Sequence, residues 1–190
     1  GGVLDATDAL AREPFLAVAE LQGAAQNARI LSAAPLDQAT LEDLFADRIV
    51  EEEVSAFDPE AGAVRTRRLR RFGALILAER RTVPRPGPET LAALMEGVAE
   101  RGLDRLPWSA ESRQLRERIG FLRRTLGEPW PDVSDAALTA TLGDWLGPFV
   151  PSAVALSDIG GPALVAALDG LVAAAGAGGM VDRLAPKRFQ

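Results

Sequence analysis

The sequence predicts an α+β protein, with a β-rich N-terminal part over residues 1–83 and an all-helical part over residues 84–190. Three observations carry this expectation. Short apolar runs separated by turn residues fill the first half. Three prolines in "VPRPGP" mark a linker at residues 83–88, and the apolar periods beyond them are helical and bracketed by cap residues.

In the first half, "PFLAVAEL" (14–21) and "ARILSAAPL" (28–36) read as strands joined by a hairpin loop, "QGAAQN". "DQATLEDLFAD" follows, with Asp37 or Thr40 as N-cap and Leu41, Leu44 and Phe45 on one face, so a short helix is expected. "RIVEEEVSAF" reads as a strand, "DPEAG" (58–62) as a turn, and residues 64–81 as the returning strand. Strand, strand, helix, strand, strand, with a further strand allowed before Gly1, fits an OB-like barrel whose first strand is missing or partial. A generic α+β sheet with one helical crossover gives the same string.

In the second half, Pro88 and Gly102 bracket one helix, Ser109 and Gly127 a second, and Ser134 opens a third in "DAALTATLGDWL". A last helical region, residues 162–185, is interrupted by "GAGG". The most apolar run, residues 163–181, contains Asp169 and is broken by glycines, which fits a packed helix and turn better than a membrane span. The N-terminal residues show no signal-peptide pattern, and a cytoplasmic protein is expected.

The composition removes most catalytic chemistry. Cysteine and histidine are both absent, so there is no thiol nucleophile, thiolate metal site or imidazole base. The single lysine, Lys187, stands outside any G-x-x-x-x-G-K pattern, and "GAGG" lacks the strand, turn and helix of a dinucleotide site. Acidic groups at Glu51, Glu52 and Glu53, and at Asp132 with Asp135, are explained by solvated faces and helix N-termini. No catalytic residue, metal site or cofactor is expected in this chain.

What remains is arginine. "VRTRRLRRFGALILAERR" holds seven arginines and one glutamate inside a chain of net charge −6. If "DPEAG" closes a hairpin with Phe57 facing Ala63, Glu53 falls opposite Arg67 and Glu52 opposite Arg68, leaving Arg65, Arg70, Arg71, Arg80 and Arg81 without an acidic residue across the ladder. "RRLRR" also breaks the two-residue alternation, so a bulge or a change of face is expected near residues 67–71. Arg65, Arg67, Arg68, Arg70 and Arg71 are candidate phosphate contacts, with Phe72 as a stacking surface. On the residues alone, nucleic-acid contact and an internally paired, solvated strand both stay open.

A second basic arc lies on the helix after Ser109. Leu115, Ile119, Leu122 and Leu126 fall on one side and are expected in the core. Arg113, Arg116, Arg123 and Arg124 fall on a neighbouring side, as an extension of a phosphate track or an ordinary solvated face. Trp108, Trp130 and Trp145 read as packing residues.

"EPFLAVAEL", "ARILSAAPLD", "LEDLF", "FDPEAGAVRTRRLRRFGALILAER", "LPWS", "LRERIGFLRR", "GEPWPDVSDAAL", "WLGPF" and "LAPKRF" together resemble, in order and spacing, the region after the motor core of bacterial HrpB-type ATP-dependent helicases of the DEAH/RHA class. The resemblance implies a non-catalytic accessory piece of a longer chain, starting within or just after the first OB-like strand and ending where relatives continue. ATP and Mg²⁺ would belong to the parent's motor core. The implied partners are that core and a single-stranded nucleic acid, RNA in preference to DNA, and no membrane. The alternative is an interaction region that docks on the motor core or another protein without touching nucleic acid. The "AAAGAGGM" stretch is richer in glycine than the family pattern.

Overall fold

Residues 2–24 and 28–186 are described by a computed structural model of the chain. Part of the expected hairpin loop and the end of "LAPKRF" lie outside these residues. β1 (Gly2–Val3), β2 (Leu16–Gln22) and β3 (Ala28–Pro35) form a three-stranded sheet in the order β1-β3-β2. β1 runs parallel to β3, and β2 pairs antiparallel with β3 from Leu16↔Pro35 to Gln22↔Arg29, with an irregularity between Val18 and Leu21. α1 (Gln38–Leu44) follows, its N-cap Asp37 accepting from the Thr40 amide at 2.9 Å.

β4 (Ile49–Asp58), β5 (Ala63–Phe72) and β6 (Leu75–Thr82) form a second three-stranded sheet in the order β4-β5-β6. Residues 64–81 are therefore two strands and not the single returning strand expected. Gly73, at φ 55°, supplies the left-handed residue that a two-residue reversal needs. The α+β class is borne out. The pairings among the described residues make two sheets, without the closure that would define an OB-like barrel.

The helical part contains α2 (Pro88–Arg101), α3 (Ala110–Leu126), α4 (Asp135–Ala140), α5 (Leu142–Leu146), α6 (Gly161–Ala174) and α7 (Val181–Leu184). α2 and α3 start and stop at the residues the capping chemistry indicated. The expected helix after Ser134 is broken at Thr141 into α4 and α5, and Thr141 Oγ1 donates back to the Ala137 carbonyl at 3.0 Å. "GAGG" separates α6 from α7, with Gly176 and Gly179 at positive φ.

The chain divides into two compact units. One contains residues up to Glu52 together with Arg68–Arg80, and the other Glu53–Arg67 together with the chain from Arg81 onward. Among the described residues of the first unit the buried apolar side chains are few: Ala28, Leu41, Leu69 and Leu77. The second holds the main core, in which Leu94, Ile119, Leu146, Leu164 and Leu168 are fully buried. Each such side chain contributes about 1.5–3 kcal/mol by leaving water. The turn end of the β4–β5 hairpin belongs to this core. Val64 is buried in it, the Val64 amide donates to the Val154 carbonyl at 2.8 Å, and Phe57 packs on Gly97 of α2. Leu126, expected inside, is 53% exposed at the end of α3. No described helix is long and apolar enough to cross a membrane.

Candidate nucleic-acid interface

The arginines of β5 are held by acidic side chains. Arg65 Nε pairs with Asp58 Oδ2 at 3.3 Å. Arg70 reaches Glu42 at 3.0 Å and Glu51 at 3.7 Å, and Arg71 Nη1 meets Glu52 at 2.7 Å. Arg67 and Arg68 have interaction partners as well. The expectation that Arg65, Arg70 and Arg71 lack carboxylates is corrected. The hairpin register assumed in reading the sequence placed Glu52 against Arg68, whereas Glu52 pairs with Arg71. It also left out Glu42, which α1 supplies from outside the ladder. Arg80 and Arg81 are exposed and have no ion pair among the described residues.

The break in alternation is present. Buried positions run Val64 and Thr66, then shift to Leu69, so that Arg67 and Arg68 are exposed in succession. Phe72 is not an open stacking surface. Its ring stacks on Phe45 at a centroid distance of 4.6 Å, and the Arg48 guanidinium lies 5.0 Å from its centroid. Arg48 and Phe45 carry no sequence mark for this role, because their contact with Phe72 is long-range.

The Asp58 carboxyl is held below the usual carboxylate range, chiefly by the Ala61 amide and then by Arg65. Glu42 is lowered first by the hydrogen bond from Gln38 and then by Arg70. These carboxylates stay ionised and keep their arginine partners neutralised at neutral pH.

The helix arginines are placed differently. Ser109 caps α3 by accepting from the Ser112 amide at 3.1 Å, and Gly127, at φ 73°, ends it. Leu115, Ile119 and Leu122 bury one face. Positions 113, 116, 120 and 124 make a stripe at helical spacing along another. The segment after α3 folds back on that stripe, because Trp130 and Val133 are buried in the core at 3% and 5% exposure. Between the stripe and that segment lies a cleft of about 590 Å³, which all four candidate arginines of α3 line together with Trp108.

Two of the four are part of the wall. Arg116 donates from Nε to the Val133 carbonyl at 2.8 Å and from Nη2 to Asp135 at 2.6 Å. Arg123 donates to the Trp130 carbonyl at 3.0 Å. Arg113 and Arg124 are exposed and have no side-chain hydrogen bond or ion pair among the described residues. Glu117 and Asp132 also line the cleft, and Asp132 is lowered mainly by hydrogen bonds from Ser134. Gly120 sits mid-stripe, where a methyl group would stand 3.3 Å from Arg124 Nη1. In the sequence, the arginine spacing pointed to this face. The cleft did not show, since it needs the tertiary return of residues 130–135. Among the described residues, no group of three or more acidic side chains is placed to hold a metal ion.

Comparison with known proteins agrees with the motif resemblance. Residues 48–82 match the family model for the connector region of the ATP-dependent RNA helicase HrpB. The ATP-dependent RNA helicase HrpB of Escherichia coli (strain K12) is 32% identical over 175 residues, covering 90% of this chain and 22% of that protein. Two crystal structures are similar, one of an E. coli DExH-box NTPase HrpB at 29% identity and TM-score 0.52, the other of an E. coli DEAH/RHA helicase HrpB at 25% identity and TM-score 0.53. They cover 99% and 100% of this chain, and it covers 24% of each. The chain thus spans under a quarter of the relatives it matches, and its similarity to HrpB extends over nearly its whole length.

Proposed function

We propose that this chain is a non-catalytic accessory region of a cytoplasmic, HrpB-type ATP-dependent RNA helicase, and that it lends the parent motor contacts to the nucleic-acid backbone. ATP and Mg²⁺ would be handled by the motor outside these residues. The similarity to HrpB supports the accessory role. The observation that supports nucleic-acid contact is the gathering of Arg113, Arg116, Arg123 and Arg124 on one cleft, two of them, Arg113 and Arg124, without a side-chain hydrogen bond or ion pair among the described residues. Guanidinium groups in that state suit phosphate oxygens, and the chain's overall net charge of −6 makes a local cationic edge necessary for any such contact.

The test is an anisotropy titration of the chain with labelled single-stranded RNA at several salt concentrations. Binding whose log–log salt slope is about −0.7 per phosphate contacted is expected. Absence of binding at low salt contradicts the nucleic-acid role. The docking reading is favoured by a separate observation, the exposure of Val18, Leu21 and Leu31 on the first sheet at 41%, 54% and 47%. Firm binding to a separately produced motor portion, without RNA retention, would select that reading.

A further inference from the structure

We infer that the α3 cleft is a base-blind site for at least two successive phosphates of a single strand, and that the arginines of β5 take no part in it. The inference rests on the nucleic-acid reading above and narrows it to one place and one chemistry. It follows from how the cleft's groups are already engaged. Arg116 and Arg123 are fastened to the Val133 and Trp130 carbonyls and to Asp135, so they shape the wall and add positive potential without turning toward a ligand. The ligand-facing charges are Arg113 and Arg124, near opposite ends of the stripe.

Arg124 Nη1 lies beside Gly120, seven residues from Arg113, which is about 10 Å along the helix axis. The two arginines are rooted eleven residues apart, about 16 Å along the axis, so each is positioned to take its own phosphate. The glycine gives the Arg124 guanidinium room to lie close along the helix, since a methyl group there would stand 3.3 Å from Arg124 Nη1 and 3.6 Å from Val133. Glu117 and Asp132, on the same cleft, repel anions and confine the phosphates to the two arginine positions.

Base stacking has no open ring to use. Among the described residues Trp108 is the sole aromatic lining the cleft, and its ring faces and N–H are already engaged. Its ring stacks with Trp145 at 6.5 Å, Arg116 lies 5.4 Å from its centroid, and Nε1 donates to the Leu103 carbonyl at 2.7 Å. Sequence-tolerant single-strand sites ordinarily draw affinity from bases stacking on open rings. This cleft presents none, so its affinity comes from the backbone alone.

The experiment compares the 190-residue chain and its Arg113→Ala/Arg124→Ala variant for binding of a labelled oligouridylate and an abasic sugar-phosphate oligomer of equal length, at low salt. Circular dichroism and thermal melting confirm that the variant is folded. The abasic oligomer is expected to bind within about twofold of the oligouridylate, and both are expected to weaken about tenfold or more in the variant. Inorganic phosphate at matched charge concentration is expected to compete poorly. RNA binding without abasic binding overturns the base-blind site and leaves the nucleic-acid role standing. Equal binding by chain and variant removes the cleft as the site. Binding of neither polymer by the parent chain ends both readings together.

Discussion

Arg118 and Asp182 form an ion pair at 2.5 Å that ties α7 to α3, and Arg118 Nε also donates to the Ala185 carbonyl. The two partners are unequal, since the Arg118 side chain is 10% exposed and that of Asp182 79%. Arg118→Ala deletes two charge-assisted hydrogen bonds and packed methylenes, and is expected to cost about 1.5–3 kcal/mol in urea unfolding. Asp182→Ala removes an exposed partner and is expected to cost about 1 kcal/mol or less. Equal costs would show that α7 is not held chiefly from the arginine side.

Gly97 lies under Phe57, and a methyl group built on it would overlap the phenylalanine ring and its Cβ. Gly97→Ala is expected to destabilise by about 1–3 kcal/mol through overpacking, despite alanine's better helix propensity. In the Phe57→Leu background the same change is expected to cost less. A double-mutant cycle in chemical denaturation checks this coupling, and strict additivity would contradict the packing.

Asp37, Glu42 and Asp58 have folded-state pKa values below their ordinary ones: Asp37 through the Thr40 amide and hydroxyl, Glu42 through Gln38 and then Arg70, and Asp58 through the Ala61 amide and then Arg65. A carboxyl lowered by folding stabilises the native state fully above its unfolded-state pKa and loses that effect as pH falls through the folded value. Stability is therefore expected to decline below about pH 5. Asp37→Asn and Glu42→Gln should each flatten the acid limb while leaving the slope between pH 6 and 8 unchanged, as read by denaturant midpoints across pH.

The pairing of Arg70 with Glu42 and Glu51, and of Arg71 with Glu52, makes the β5 arginines contributors to the sheet. Arg70→Ala and Arg71→Ala are each expected to shift stability by about 1 kcal/mol or less, as half-exposed pairs do. RNA affinity is expected to change less than it does in cleft variants at equal salt. Affinity falling as steeply here as in the cleft would restore the strand as a binding surface.

These outcomes bear on what could be read from the chain in advance. Caps carried much of the helical part: Pro88 and Gly102, Ser109 and Gly127, and Ser134 act locally, and their chemistry is written in adjacent residues. Gly73 was legible too, but a long basic run with a single glycine reads as one strand unless the reversal is recognised. What local pattern does not encode is partnership at a distance. Glu42 reaches Arg70 from a helix 28 residues earlier, and Asp135 reaches Arg116 from 19 residues later. The arginine-rich strand drew the eye by density, yet density invited carboxylate partners. The sparser helix stripe, interrupted by Gly120, retained Arg113 and Arg124 without them.

The most direct measurement of the central claim is a charge-matched comparison. Arg113→Glu/Arg124→Glu and Arg80→Glu/Arg81→Glu change the net charge equally, and all four arginines lack an ion pair among the described residues. Single-stranded RNA titrations in the same salt are expected to show about tenfold or greater loss of affinity and a shallower salt slope for the cleft variant, against a small loss for the strand variant. Equal losses in the two variants would mean that only overall charge matters and that α3 holds no site.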